Sequence, residues 1–384
     1  MGKRLVLVGG GHAHMTVLRR LDEFAARGHR VTLISKEEYH YYSGMGPGLL
    51  GGIYAPQQAR FHIRLMAQDR GAEFIEDVVE QVDADRRLLS LRSGGEVQYD
   101  VVSFNTGSHV PVDELAPDAD ANVLTVKPIV NLLRAREEIL QLAAAGGRCR
   151  ILIVGGGPAG VEVAGNLCRL LPADGDDCTV TLVAGRRLLH GMSGKVRRLA
   201  RTSLLLRGVR VLEGEFVERL SDGRAALRSG SGVPYDLALV ATGVRPSPVF
   251  SGSGLPTGPD GGLLVNDRLQ SVARPEIFGG GDCVSLEGQR LKRVGVHAVR
   301  QNPILFANLM AALEGGPMMR FRPDENYLLI LNMGDGRGLA TKKGLVWGGW
   351  PAFMLKDFID RRFVAEFQVS GELSEPCGPL GQSG

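Results

Sequence analysis

Two glycine turns, about 146 positions apart, constrain this chain more than any other feature. The first follows the apolar run Leu5-Val6-Leu7-Val8 and reads Gly9-Gly10-Gly11-His12-Ala13-His14; the second follows Ile151 to Val154 and reads Gly155-Gly156-Gly157-Pro158-Ala159-Gly160. A helical spacing of apolar residues comes next in the first unit (Val17, Leu18, Leu21, Ala25), then the apolar run Val31 to Ile34; the second unit has a helix to about Leu171 and the run Val180 to Val183. Strand, turn, helix and strand in that order begin a parallel sheet, and here they do so twice. Each opening is matched by a closing strand and turn, Tyr99 to Gly107 (ending Asn105-Thr106-Gly107) and Tyr235 to Gly243 (ending Ala241-Thr242-Gly243). A third cluster, Ile277-Phe278-Gly279-Gly280-Gly281-Asp282, precedes a helical stretch from about His297 to Leu313, and the tail from Phe321 reads as a small third unit.

The turns carry the chemistry. In Gly155-x-Gly157-x-x-Gly160 the first glycine permits the tight turn, the second lets a pyrophosphate approach the backbone, and the third lets helix and strand pack closely, with the helix N-terminus toward the phosphates. The first turn departs from this pattern, because His14 stands where the third glycine belongs; a histidine near the bound group and a packed, hydrogen-bonded histidine are the two readings, and the packed one is favoured. Both second strands lack a carboxylate at their ends. After Val31 to Ile34, Glu37 is the nearest candidate for a ribose hydroxyl. After Val180 to Val183 come Ala184-Gly185-Arg186-Arg187, where two guanidinium groups suit a 2′-phosphate or are simply solvated.

Composition excludes several classes. The 45 Lys+Arg against 42 Asp+Glu leave a net charge of +3 over 384 residues, which gives no case for nucleic-acid binding. No run of 18 apolar residues escapes a charge, so no transmembrane helix is expected, and Arg4 to Val8 leaves no room for a signal peptide. The cysteines Cys149, Cys168, Cys178, Cys283 and Cys377 have no metal-ligand spacing, so no metal site is expected, and a reducing, cytoplasmic compartment is.

Together, the two turns, the paired strand ends and Ile277 to Asp282 resemble the pyridine nucleotide-disulfide oxidoreductase superfamily. Gly9 to His14, Tyr42-Ser43-Gly44-Met45-Gly46-Pro47-Gly48 and Trp350 to Phe363 are similar to its NADH-dehydrogenase-like branch often fused to selenide, water dikinase. That branch is related to type II NADH:quinone and sulfide:quinone oxidoreductases. The resemblance implies an α/β fold of two Rossmann-like (three-layer ββα) dinucleotide-binding domains, the second inserted in the first, and a small α+β C-terminal domain. The implied bounds are 1–115 and 247–318 for an FAD domain, 116–246 for an NAD(P)H domain and 319–384 for the third. Cofactor-binding residues are expected at Gly9, Gly11, Ala13, His14, Glu37, Ser43, Met45, Pro47, Thr106, Gly107, Gly281, Asp282 and Val296, and at Gly155, Gly157, Gly160, Arg186, Arg187, Thr242 and Gly243. Asp282 is implied to hold a ribitol hydroxyl.

The implied activity is FAD-dependent transfer from NAD(P)H to a quinone or similar acceptor. Disulfide reduction needs a cysteine pair beside the flavin, and Ser43 to Pro47 stands there instead. Sulfide:quinone reductase chemistry would need Cys149 or Cys168 to meet Cys377. A flavoprotein module serving a protein partner is the alternative of another class. The implied catalytic residues are Glu162, read either as a proton carrier or as a helix-start carboxylate in the first turn, with His297 and Gln301 on a helix whose N-terminus favours negative charge. The aromatic stretch Phe353 to Phe367 has Phe353, Leu355, Phe358, Ile359, Phe363 and Phe367 largely on one face; packing on the body or on a second subunit is expected, with peripheral membrane contact as the alternative.

Overall fold

The computed structural model describes residues 2–146, 148–171, 178–221 and 223–375. Cys377 lies outside them. The first sheet has five parallel strands in the order Ile277–Gly279, Val101–Phe104, Arg4–Val8, Arg30–Ser35 and Glu73–Glu76. Central strands of such a sheet are covered on both faces, which is why Leu5 to Val8 and Val101 to Phe104 are buried without alternation. The second sheet repeats the plan with Val123–Thr125, Leu237–Val240, Cys149–Val154, Cys178–Val183 and Arg210–Leu212. A three-stranded antiparallel meander accompanies each: Val79–Asp83, Leu88–Leu91 and Glu96–Gln98 in the first unit, Val217–Ser221, Arg224–Leu227 and Gly232–Pro234 in the second.

Register brings the motifs together. Val8 pairs with both Ile34 and Phe104, and Val154 with both Val183 and Val240. Each glycine turn therefore leaves the middle strand level with the carboxyl ends of its neighbours, where ligands of open α/β sheets bind. Gly279 pairs with Phe104, so Gly281 and Asp282 emerge at the same edge although 175 residues separate Asn105 from Gly280.

The C-terminal part is an antiparallel sheet (Leu329–Asn332, Gly338–Lys342, Leu345–Gly349) followed by the helix Trp350–Phe367. Its own core is only Ile330, Ala340 and Ala352. Leu331, Met333 and Leu339 instead join the second core, and Val364 and Phe367 the first. A region with so little core of its own is stabilised by docking, and it docks on both nucleotide-binding units. Gly165, inside the helix Pro158–Leu170, makes this possible: a Cβ there would lie 2.5 Å from the Met333 carbonyl oxygen.

The terminal helix follows the sequence expectation at one end, where Phe363 and Phe367 pack on the first core, and departs from it at Leu355, Phe358 and Ile359, which are exposed. Its buried line is Ala352, Lys356, Asp360, Val364 and Phe367, while Trp350, Met354, Phe358 and Ile359 are exposed. Hydrophobic patterning assumes that charges stay in water; here a lysine and an aspartate four residues apart neutralise each other inside, and Trp350, Met354, Phe358 and Ile359 are left outside. None of the helices among the described residues is long and apolar enough to cross a membrane.

Candidate functional site

Backbone geometry defines both turns. Gly9 has φ +85° and Gly155 φ +125°; a Cβ on either would strike a neighbouring strand's carbonyl oxygen, at 2.5 Å from Asn105 and 2.4 Å from Ala241. At Gly160 a Cβ would lie 1.8 Å from the Gly155 carbonyl oxygen, so helix and turn touch there. Above Gly157, the N-cap of helix Pro158–Leu170, nothing lies within 4 Å of a built Cβ. That open space beside unpaired helix N–H groups fits a pyrophosphate.

His14 resolves the irregular first turn. Its Nδ1 is 2.6 Å from the Gly9 carbonyl oxygen and its Nε2 2.8 Å from Ser103 Oγ, both nitrogens being used inside the protein. Burial lowers its pKa to about 4. The chain makes room by entering the unit through a single 3-10 turn, His12–His14, and two short helices, Met15–Arg19 and Leu21–Ala25. His14 is thus a packed, hydrogen-bonded residue, the reading favoured for it from the sequence.

Asn105 joins the first turn to the late glycine cluster. Its Oδ1 accepts from the Ala13 N–H at 3.0 Å and its Nδ2 donates to the Gly280 carbonyl at 2.6 Å. Next to it, Gln301 accepts from the Gly281 N–H at 2.7 Å. Asp282 follows, its Oδ2 receiving Lys127 Nζ at 2.6 Å and Ser108 Oγ at 2.9 Å. His297 is buried near the start of the helix Gly295–Glu314, its pKa lowered by burial, and its Nδ1 has no hydrogen-bond partner among the described residues. Ser43 reaches the same helix, its Oγ being 3.5 Å from a Cβ built on Gly295, next to Val296. Structure thus assembles Gly9, Gly11, Ala13, Ser43, Gly281, Asp282, Val296, His297 and Gln301 at one edge, and Met45 and Pro47 are buried.

Glu162 anchors a second group. It is the fifth residue of its helix, not part of the first turn, which holds no acidic side chain. Its Oε1 accepts from the Asn332 N–H at 2.7 Å, and Asn166 donates to the Glu162 and Asn332 carbonyls at 2.8 and 3.2 Å. Desolvation raises its pKa from the model-compound 4.5 to about 7, against the pull of Lys356. That is opposite to what a helix-start carboxylate would show. Lys356 pairs with Asp360 at 2.7 Å and donates to the Gly44 carbonyl at 2.8 Å; Tyr42 donates to the other Asp360 oxygen at 3.3 Å. Burial alone would lower the Lys356 pKa, but Asp360 and Glu162 outweigh it and it is raised. A carboxyl group poised near neutrality beside a fixed cation suits proton transfer.

Among the remaining expected residues, Thr106 and Thr242 lie against the turns, their backbones 3.1 and 3.0 Å from Cβ atoms built on Gly9 and Gly155. Glu37, Arg186 and Arg187 are exposed, and so are Thr106 and Gly243 on their turns; Thr242 and Gly107 are half-buried. Sequence reasoning missed Lys127, Asn105, Lys356 and Asp360; only the four-residue step from Lys356 to Asp360 hinted at a paired lysine. It also missed which cysteines meet. Cys149 and Cys178 are cross-strand partners, and burial and the neighbouring thiol push Cys149 up to about 12. They sit at the opposite end of the strands from Gly155, about 20 Å away at 3.3 Å per residue. Cys283 is buried against the Phe104 and Gly280 carbonyls.

Two dinucleotide turns on two parallel sheets, with a docked C-terminal unit, define a two-nucleotide oxidoreductase. The chain belongs to the pyridine nucleotide-disulphide oxidoreductase family, which it matches over residues 3–302. Ferroptosis suppressor protein 1 from Xenopus tropicalis is 25% identical over 371 residues, 92% of each chain. NDH2 from Plasmodium falciparum, solved in complex with NADH, superposes with a TM-score of 0.80 at 13% identity, covering 99% of this chain and 100% of the other. The sulfide:quinone oxidoreductase of Aquifex aeolicus gives 0.78 at 18% identity, covering 96% and 92%. The protein is an FAD-dependent NAD(P)H oxidoreductase. Its residues fit both groups: open space over Gly157, and over Gly107 and Gly243, and, among the described residues, imidazole nitrogens without a partner on His12 of the first turn and His297 of the helix Gly295–Glu314.

Proposed function

We propose that this protein passes electrons from NAD(P)H, held over the second turn, through FAD held over the first, to a quinone or similar small acceptor, with no redox-active disulfide. FAD supplies the capacity to accept a hydride and release its electrons. The protein's residues position the two groups. Gly9, Gly11, Ala13, Thr106 and Gly107 shape the FAD pyrophosphate and ribityl region, Asp282 accepts a ribitol hydroxyl, and Gly155, Gly157, Gly160, Thr242 and Gly243 do the same for NAD(P)H. Gln301 and His297 place a helix N-terminus at the reactive end. In domain terms, 1–115 with 247–318 hold FAD, 116–246 hold NAD(P)H, and 319–384 complete the site.

The observation that carries this reading is the Glu162, Lys356 and Asp360 group. It draws on the second turn's helix and the C-terminal helix, and Lys356 also binds the Gly44 carbonyl in the segment where a disulfide reductase has its cysteines. Proton-carrying groups in place of sulfur suit an acceptor that takes protons with electrons. Cys149 and Cys178 stand about 20 Å from Gly155 at 3.3 Å per residue, which speaks against persulfide chemistry at that pair. A quinone appears in the name of the Aquifex aeolicus neighbour. Exposed Trp350, Met354 and Phe358 support peripheral contact with a surface carrying a lipid quinone. Steady-state turnover of the holoprotein with NADH or NADPH and a short-chain quinone tests the proposal. Sustained turnover is expected; flavin that NAD(P)H reduces but quinone does not reoxidise, or turnover that appears only with a protein partner, overturns it.

A further inference from the structure

His12, buried, and His40, half-buried, form a pair to which the proposed function gives no task. His12 follows Gly11 directly in the first turn, and His40 comes from the strand Tyr39–Tyr41. His12 Nδ1 and His40 Nε2 are 3.2 Å apart, so one ring donates to the other. Their planes are nearly perpendicular at a centroid distance of 4.7 Å. His12 is 8% exposed, and its Nε2 has no hydrogen-bond partner among the described residues. A buried imidazole nitrogen without a partner is costly unless something else fills the position.

The surroundings of the pair are specific. Tyr42 and Phe363 lie against the His12 ring at 5.1 and 6.0 Å between centroids, and Phe61 against the His40 ring at 6.2 Å. Lys127 is the charged group that bears on both rings, and its Nζ holds Asp282. Asp360 on the C-terminal helix is already engaged by Lys356 and accepts from Tyr42, whose ring lies against His12. Desolvation and Lys127 keep His12 neutral, lowering it to about 4, and burial, His12 and Lys127 hold His40 well below the ordinary imidazole value. Two neutral rings sharing one hydrogen bond can take up a single proton between them when negative charge arrives nearby.

The stoichiometry of the proposed reaction leaves a place for that proton. NAD(P)H delivers a hydride, which is one proton with two electrons. A quinone becomes a hydroquinone by taking two electrons and two protons. One proton travels with the hydride; the other must come from water. We propose that the His12–His40 pair holds the second proton, forming an N–H bond with a proton from water when the flavin is reduced and releasing that proton to the acceptor as the electrons leave. This rests on the quinone reading for the release step, whereas uptake requires only that the flavin occupy the first turn.

Proton uptake can be read without any acceptor. Mixing the holoprotein anaerobically with one equivalent of NADH, lightly buffered near neutral pH with an indicator dye, reports protons bound by side chains or by the reduced flavin itself, because hydride transfer consumes none from solution; the histidine variants separate the two. Wild type is expected to take up about one proton per flavin. Uptake should fall below half of that in His12→Gln and in His40→Gln and persist in Glu162→Gln. No uptake in wild type overturns the proposal without any variant, and so does uptake retained in His40→Gln should His12→Gln fail to keep flavin. Loss in Glu162→Gln alone assigns the proton to Glu162 instead. Uptake as expected with no quinone turnover would overturn the acceptor reading while leaving the pair's capacity established.

Discussion

The two glycine turns begin alike and part at their third position, and that difference teaches how a nucleotide turn is held together. At the second turn the helix packs directly on the turn, with Gly160 against Gly155 and a continuous helix from Pro158 to Leu170. At the first, His14 fills the equivalent position and bonds the Gly9 carbonyl and Ser103, while Asn105 ties Ala13 to Gly280. Ala241, the counterpart of Asn105, has no side chain for such a tie. One turn relies on close backbone packing and the other on buried hydrogen bonds, so substitutions should separate them.

The largest effect is expected from Gly160→Ala. Alanine favours helix over glycine by about 1 kcal/mol, but a Cβ placed 1.8 Å from a carbonyl oxygen forces backbone to move. Overpacking of that kind costs about 3 kcal/mol or more. The apparent KM for NAD(P)H should rise more than tenfold while FAD content, measured by absorbance after release, stays near that of wild type. Loss of FAD and NAD(P)H affinity together would show that the turns are not separable.

His14→Ala is the complementary test at the first turn. It strands the Gly9 carbonyl and the Ser103 hydroxyl, at about 2–3 kcal/mol of stability. FAD retention should drop and the urea midpoint fall, with the NAD(P)H dissociation constant of the remaining holoprotein little changed. Full FAD retention would mean that water replaces the imidazole without consequence.

A pH measurement sharpens the comparison at Glu162, which belongs to the packed turn's helix. Its folded pKa of about 7 lies above the ordinary 4.5. The folded state therefore binds the proton more tightly than the unfolded chain, and stability falls as pH rises from about 4.5 to about 7, then levels. Wild type should lose stability relative to Glu162→Gln between pH 5 and pH 8 in urea titrations, and a rate limb near pH 7 should vanish in the variant. Parallel curves for the two proteins would remove Glu162 from the proton-carrying group.

What the chain disclosed in advance follows from range. The turns, their flanking strands and the closing strands are local patterns, each readable from ten or so neighbouring residues. The position of Asp282 at the edge of the first sheet was legible because its glycine cluster is local too. Lys356 and Asp360 were not: Asn332 and Glu162 are 170 positions apart, and a charged pair facing inward contradicts the amphipathic rule that made the helix recognisable. Cys149 and Cys178 meet only through strand register, which no spacing between them reveals. His14 could be weighed as a packed residue because Gly9-x-Gly11 already left no third glycine, but its partner Ser103 belongs to a strand 89 positions on.

The smallest expected effect concerns which nicotinamide cofactor the packed turn prefers. The loop after Val183 is pinned by the Leu188 N–H to Glu213 and the Leu189 N–H to the Gly156 carbonyl, each at 2.7 Å, so Arg186 and Arg187 are presented from a fixed backbone. Ala184 offers no carboxylate to repel a 2′-phosphate. Both arginines are exposed, however, and water and salt screen what they give. Exposed ion pairs contribute about 0.2–1 kcal/mol each, so Arg186→Ala with Arg187→Ala should raise the apparent KM for NADPH roughly three- to tenfold. NADH should change by less than twofold, and the gap should close at high ionic strength. Equal changes for both cofactors, or a gap indifferent to salt, would mean that the arginines only face solvent and that the packed turn selects its cofactor through backbone fit alone.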